Sequence, residues 1–153
     1  MKLKVILVGC GDRACVYAHF GVHEFQEMEI VAAVDPDEVR REYVHEHFSV
    51  PLDRCYKDID EVLSQGKIAD AVINGTMDFL HIKTSIPFLE QGYDMLLEKP
   101  ITNNEEELLK LANTAKEHHC KLMICHVLRF SNFYREIKKT LLSGEVGDII
   151  NIN

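Results

Sequence analysis

The first residues able to do chemistry lie close to the amino terminus. An apolar run, residues 3–8, passes directly into Gly9-Cys10-Gly11-Asp12-Arg13-Ala14, a G-x-G-x-x-A spacing, and a helix-compatible segment follows. Each small residue has a separate job in such a loop. Gly9 permits a tight strand-to-helix turn, and Gly11 lets the backbone approach a pyrophosphate. Ala14 allows close helix–strand packing, so that phosphates sit on the helix N-terminus. Glycines spaced this way also occur in turns that bind nothing, and context decides here. The loop follows a strand, and Asp35 ends a second apolar run, residues 30–34, 24 residues beyond Gly11. A carboxylate at that place can accept hydrogen bonds from a ribose diol. Together these features predict a dinucleotide site. Asp35 would also repel a 2′-phosphate, so NAD is expected in preference to NADP. Arg40 and Arg41 argue the other way, but they fall inside the following helix.

Other groups are less specific. His118-His119-Cys120 and Cys125-His126 have the residue types of a metal site, but they flank Leu122-Met-Ile124, which reads as a strand. At about 3.3 Å per residue such a strand holds its ends more than about 10 Å apart. One tetrahedral ion does not collect ligands across that span, and no metal is expected. The five cysteines lack C-x-x-C spacing and read as reduced thiols.

The elements that must position these residues alternate along the chain. Runs at 3–8, 30–34, 70–73, 93–97 and 121–125 are apolar at nearly every position, as in parallel strands covered on both faces. Helix-compatible segments occupy about 13–27, 37–47, 59–65, 79–91 and 104–119. Alternating β and α units with short connections predict an α/β fold, a doubly wound parallel sheet of the Rossmann type. In such a sheet ligands bind beyond the carboxyl ends of the strands. Those ends carry Gly9–Ala14, Asp35, Asn74-Gly-Thr76, Glu98-Lys99-Pro100 and His126-Val-Leu-Arg129. Any one of them could be a solvated loop residue; their concentration on one edge points to a site.

Composition bounds the remaining classes. The 153 residues are 46% hydrophobic and 27% charged, with a net charge of −8, the balance of an ordinary globular domain. No Lys/Arg cluster supplies a nucleic-acid footprint, and no apolar stretch approaches the ~20 residues of a membrane span. Met1-Lys-Leu-Lys enters a strand rather than a signal peptide, so the chain reads as cytoplasmic.

In order along the chain, Gly9-x-Gly-x-Arg-Ala14, Asp35, Thr76…His81, Glu98-Lys99-Pro100 and His126-Val-Leu-Arg129-Phe130…Phe133-Tyr134 resemble the glucose–fructose oxidoreductase / inositol dehydrogenase family (Gfo/Idh/MocA). Glu-Lys-Pro at a strand end is the most diagnostic element. Met77 departs from the pattern, since proline usually follows the threonine. The resemblance implies an enzyme that uses NAD or NADP to oxidise or reduce hydroxyl and keto groups of sugars, inositols or related polyols. It implies that Lys99 is catalytic, hydrogen-bonding the substrate hydroxyl and the nicotinamide ribose, across a cis Lys99–Pro100 bond. Glu98 would contact or orient groups near that ribose, Thr76 and His81 would line the nicotinamide half, and Arg129 would support the loop or the cofactor. The plainer alternative for Lys99 is a surface pair with Glu98, but adjacent residues at a strand end point apart.

The resemblance further implies a second, substrate-binding α+β domain that this chain lacks. Residues 1–125 are expected to form the dinucleotide domain, and 126–153 a connecting helix and the first strand of the next domain. Residues 147–153 resemble that strand, and an unpaired strand is a poor natural terminus. The chain is thus expected to be part of a longer protein, to bind cofactor without turnover, and to pair its edge with its own surface or a second copy, as a homo-oligomer. A non-catalytic NAD-binding sensor and a nucleotide-binding module of another enzyme are the alternative readings; Glu98-Lys99-Pro100 disfavours the latter.

Overall fold

The computed structural model describes residues 1–151. Among them, six parallel strands form one sheet: β1 (Leu3–Val8), β2 (Met28–Val34), β3 (Cys55–Tyr56), β4 (Ala71–Asn74), β5 (Asp94–Leu97) and β6 (Leu122–Ile124). Their spatial order is β3-β2-β1-β4-β5-β6. The order reverses between β1 and β4, which opens a crevice at the carboxyl ends of those two strands. Helices α1 (Asp12–His19), α2 (Glu38–Phe48), α3 (Ile59–Leu63), α4 (His81–Glu90) and α5 (Glu105–Glu117) connect successive strands, and α6 (Asn132–Ser143) follows β6.

Both faces of the sheet are covered because its strands are apolar at successive positions. Val5, Leu7 and Ile73 pack with Ala14, Ala18, Val44 and Phe48 on one side. Ile6, Val8, Val72, Met95 and Leu97 pack with Phe88, Leu89, Leu111 and Ala115 on the other. Side-chain caps start three of the helices: Asp37 accepts from Val39 N–H, Asp58 from Asp60 and Glu61, and Asn104 from Glu106 and Glu107. No helix among the described residues is long and apolar enough to cross a membrane.

Three expectations need correction. The helix expected over 13–27 ends as an α-helix at His19 and widens into a π-turn over Phe20–Glu24. Gln26, at φ 56°, then reverses the chain into β2. The strand β3 was not foreseen: it is two residues long at the sheet edge, too short to show a pattern. The strand expected over 147–153 is absent from 147–151, and its last two residues lie outside the described residues. The packed core stops at Cys125, beyond which every described residue is at least partly exposed.

Candidate functional site

The sheet's hydrogen-bond ladder runs past the strand ends and lines up the loops. Gly9 N–H donates to Val34 O (2.8 Å), Gly75 to Val8 O (2.8 Å), Glu98 to Asn74 O (3.0 Å) and Cys125 to Leu97 O (2.9 Å). Each bond seats one loop beside the next, so residues far apart in sequence form a single rim.

Gly9 and Gly11 have different reasons to be glycine. Gly9 sits at φ 77°, and a Cβ there would lie 2.6 Å from Thr76 N and 2.7 Å from Gly75 C. The β1 and β4 loops thus touch backbone to backbone. Ala14, fully buried, extends this contact, because a Cβ on Gly75 would lie 2.8 Å from its own. At Gly11 a Cβ would meet no protein atom within 4 Å. The protein itself does not need glycine there; an approaching ligand would. No side chain caps the N-terminus of α1, so its first-turn N–H groups remain able to receive an anion. A groove of about 560 Å³ runs from here between α1 and α2, lined by Gly11, Asp12, Cys15, Val39 and Arg40 among others. A dinucleotide fits a turn of this shape. A larger cavity, about 990 Å³, lies at the amino ends of β1 and β2, where this fold does not place ligands.

Asp35, expected as a free acceptor for a ribose diol, is only 2% exposed. Its Oδ2 accepts from Cys10 N–H (2.8 Å) and its Oδ1 from Asp37 N–H (2.9 Å). In this conformation it clips the glycine loop to the end of β2. Arg40 and Arg41 also stand nearer than their place inside α2 suggested. Arg40 Nη1 lies 3.7 Å from Asp35 Oδ2, and Arg41 Nη1 donates to Asp35 O (2.7 Å) and Pro36 O (3.0 Å). One helical turn brings both guanidinium groups back over the strand end.

The β4 loop is held by a residue that the sequence places at a strand end without giving it a role. Asn74 is fully buried and uses its whole amide: Nδ2 donates to Thr84 (2.8 Å) and Ser85 (3.0 Å), while Oδ1 accepts from Thr76 N–H (3.2 Å) and Thr76 Oγ1 (2.8 Å). The Thr76 hydroxyl is thus turned into its own loop. His81, expected to line the nicotinamide half, is fully buried instead. Its Nδ1 faces Pro100 O (2.7 Å) and its Nε2 faces Thr76 O (3.1 Å). It ties the β4 loop to the turn after β5.

The Lys99–Pro100 peptide is cis. Glu98 is 8% exposed; its Oε2 accepts from Lys99 N–H (3.0 Å) and its Oε1 from the hydroxyl of Tyr17 on α1. The Lys99 side chain is exposed and makes no ion pair among the described residues. Glu98 and Lys99 therefore do not neutralise each other. Arg13, on the first turn of α1, and Arg129, in a short 3-10 turn after β6, are likewise exposed and outside every ion pair of the described residues. Tyr17 was missed because nothing in its own neighbourhood marks it; its partner is 81 residues away. The five thiols are free. Burial pushes Cys10 and Cys125 above the ordinary thiol range, so they stay protonated beside the two buried carboxylates.

A parallel sheet that reverses order beside an open glycine turn defines an α/β dinucleotide-binding domain. The chain belongs to the GFO/IDH/MocA family, described as an oxidoreductase family with an NAD-binding Rossmann fold, whose model matches residues 3–126. NAD is accordingly the cofactor of this domain. The chain is similar to a 2,7-anhydro-N-acetylneuraminate hydratase of Mediterraneibacter gnavus, 28% identical over 127 residues, covering 83% of this chain and 32% of that protein. It is also similar to an inositol 2-dehydrogenase of Arthrobacter sp., 24% identical over 152 residues, covering 99% of this chain and 44% of the relative. Among solved structures, the scyllo-inositol dehydrogenase from Lactobacillus casei with bound NAD(H) and scyllo-inositol superposes with a TM-score of 0.86 at 23% identity, covering 97% of this chain and 43% of that one. At that identity the likeness carries the fold alone. The chain spans less than half the length of these relatives.

Proposed function

We propose that this chain is the cofactor-binding part of an NAD(P)-dependent oxidoreductase acting on a hydroxyl or keto group of a sugar, inositol or related polyol, with NAD preferred to NADP. The observation that carries this reading is the turn at Glu98 and Lys99. Glu98 accepts from the Tyr17 hydroxyl and from a backbone N–H, and the exposed Lys99 at the crevice rim is in no ion pair among the described residues. The inositol 2-dehydrogenases among the relatives support the polyol class. Bound NAD would supply the hydride acceptor. The residues of this chain do the rest. Gly11 and the first turn of α1 receive the pyrophosphate, with Arg13 beside them. Asp35 turns its remaining acceptor capacity to the adenosine ribose, and Thr76 shapes the floor beneath the nicotinamide. Lys99 holds the substrate hydroxyl and takes or returns its proton. Arg129 supports the rim from the β6 side. Residues 1–125 form the dinucleotide domain, and 126–153 lead into the part that selects substrate.

Fluorescence titration of this chain with NADH and NADPH tests the reading. NADH should bind more tightly, because the Asp35 carboxylate disfavours a 2′-phosphate, with Arg40 limiting the margin. Equal or tighter NADPH binding would refute the cofactor preference, and absence of NADH binding would refute the reading as a whole.

A further inference from the structure

The geometry points to Tyr17 as a positioning residue for the Glu98-Lys99 turn: a phenol that locks the helix of the pyrophosphate loop to the loop that carries the lysine. This rests on the function proposed above, which places the nicotinamide half of NAD over that turn.

Glu98 is a nearly buried carboxylate with no cation within ion-pair distance among the described residues. Buried carboxylates are costly unless their oxygens find donors. Here two donors fill that role, the Tyr17 hydroxyl on Oε1 and the Lys99 backbone N–H on Oε2. The Glu98 N–H is itself fixed to Asn74 O at 3.0 Å. The carboxylate is therefore a rigid bracket: one arm holds the Lys99 backbone, and the other reaches α1 one turn beyond Ala14. Burial, and then the hydrogen bond to Glu98, push the Tyr17 phenol above its ordinary range, so it remains a donor at physiological pH. The Cys125 thiol beside it is a neutral neighbour.

The alternative role for Tyr17 is to fill the seam between α1 and the sheet. Its ring alone would do that. The hydroxyl adds something different, because it fixes the Glu98 carboxylate whose other oxygen holds the Lys99 backbone N–H. Without it, the carboxylate is free to rotate, and the backbone that carries the lysine loses its fixed bracket.

The test compares the wild-type chain with Tyr17→Phe, which keeps the ring. Exchange of the Lys99 amide proton is read by NMR, and dissociation constants are measured for NADH and for ADP-ribose, which lacks the nicotinamide. Loss of a charge-assisted hydrogen bond should speed Lys99 amide exchange about tenfold and weaken NADH about tenfold. ADP-ribose, bound at Gly11 and Asp35, should stay within about twofold, as sites without shared partners behave independently. The double variant with Glu98→Gln should be no weaker than the worse single one. Unchanged exchange and unchanged NADH affinity would overturn the inference. So would equal weakening of both ligands, which would place the effect on α1 alone. Wild-type chain that binds neither nucleotide would refute the proposed function, while amide exchange would still decide the role of Tyr17. If Tyr17→Phe fails to fold, Glu98→Gln opens the same bracket and is read by the same three measurements.

Discussion

Replacing Gly9 and Gly11 separately by alanine should split stability from binding. Gly9 adopts φ 77°, and an added Cβ would lie 2.6 Å from Thr76 N and 2.8 Å from Gly75 O, atoms of a neighbouring backbone that cannot swing aside. A left-handed conformation costs a residue with a Cβ about 1–2 kcal/mol. Overpacking a close contact adds about 1–3 kcal/mol. The total, about 2–5 kcal/mol, is a large share of the about 5–15 kcal/mol that holds a domain together. At about 2–4 °C per kcal/mol for a chain of this size, Gly9→Ala should lower the melting temperature by about 10 °C. Gly11 is at φ −78°, and its Cβ would meet no protein atom within 4 Å. Gly11→Ala should cost less than about 1 kcal/mol, the loss of a good N-cap residue, yet it fills the space reserved for pyrophosphate. Its melting curve should stay near wild type while NADH affinity falls at least about tenfold. Calorimetry and fluorescence titration on both variants decide the matter. Wild-type melting for Gly9→Ala, or wild-type NADH affinity for Gly11→Ala, would refute the division of roles.

Asn74→Ala should destabilise by about 2–4 kcal/mol, since Thr84, Ser85 and Thr76 all lose a buried partner; urea unfolding measures it, and a cost below about 1 kcal/mol would contradict the network. Asp12→Ala should tighten NADH by about threefold at low salt, with the gain fading at high salt, because an exposed carboxylate in the first turn of α1 repels pyrophosphate. The same change should slightly lower stability, as that carboxylate favours the helix dipole. Stability should fall in alkali. Burial holds the folded Cys10 thiol above its ordinary value of 9.0, whereas the unfolded chain ionises near it. The contribution is therefore whole below about pH 9 and lost as pH rises, at up to about 1.4 kcal/mol per unit for each such group. Cys10→Ala should flatten that slope, and a melting temperature constant up to about pH 10.5 in wild type would count against it.

Much of the fold was legible because its signals are local. Residues 3–8 form a strand from their own apolar character, and Asn104 caps α5 through bonds to residues two and three positions on. The glycine turn and the cis Lys99–Pro100 bond were likewise readable, the first from spacing and the second by resemblance. The site was less legible wherever a side chain's role depends on a distant partner. His81 was expected to face the cofactor, but the two carbonyls that enclose it come from Thr76 and Pro100. Arg40 seemed remote from Asp35 in the chain, and a single turn of α2 returned it.

By itself the sequence determined the alternation of the longer strands and helices, the placing of ionisable residues at the strand ends, and the glycine at position 11. These follow from propensity, periodicity and the presence or absence of a Cβ, which each residue carries with it. Tertiary structure alone decided that Asp35 is a buried clip, that Asn74 organises the β4 loop, and that Tyr17 rather than Lys99 satisfies the Glu98 side chain at Oε1. The physical reason is common to all three. A polar or strand-forming group is defined by the partner that meets it, and the sheet order β3-β2-β1-β4-β5-β6 chooses that partner from residues the chain keeps far apart.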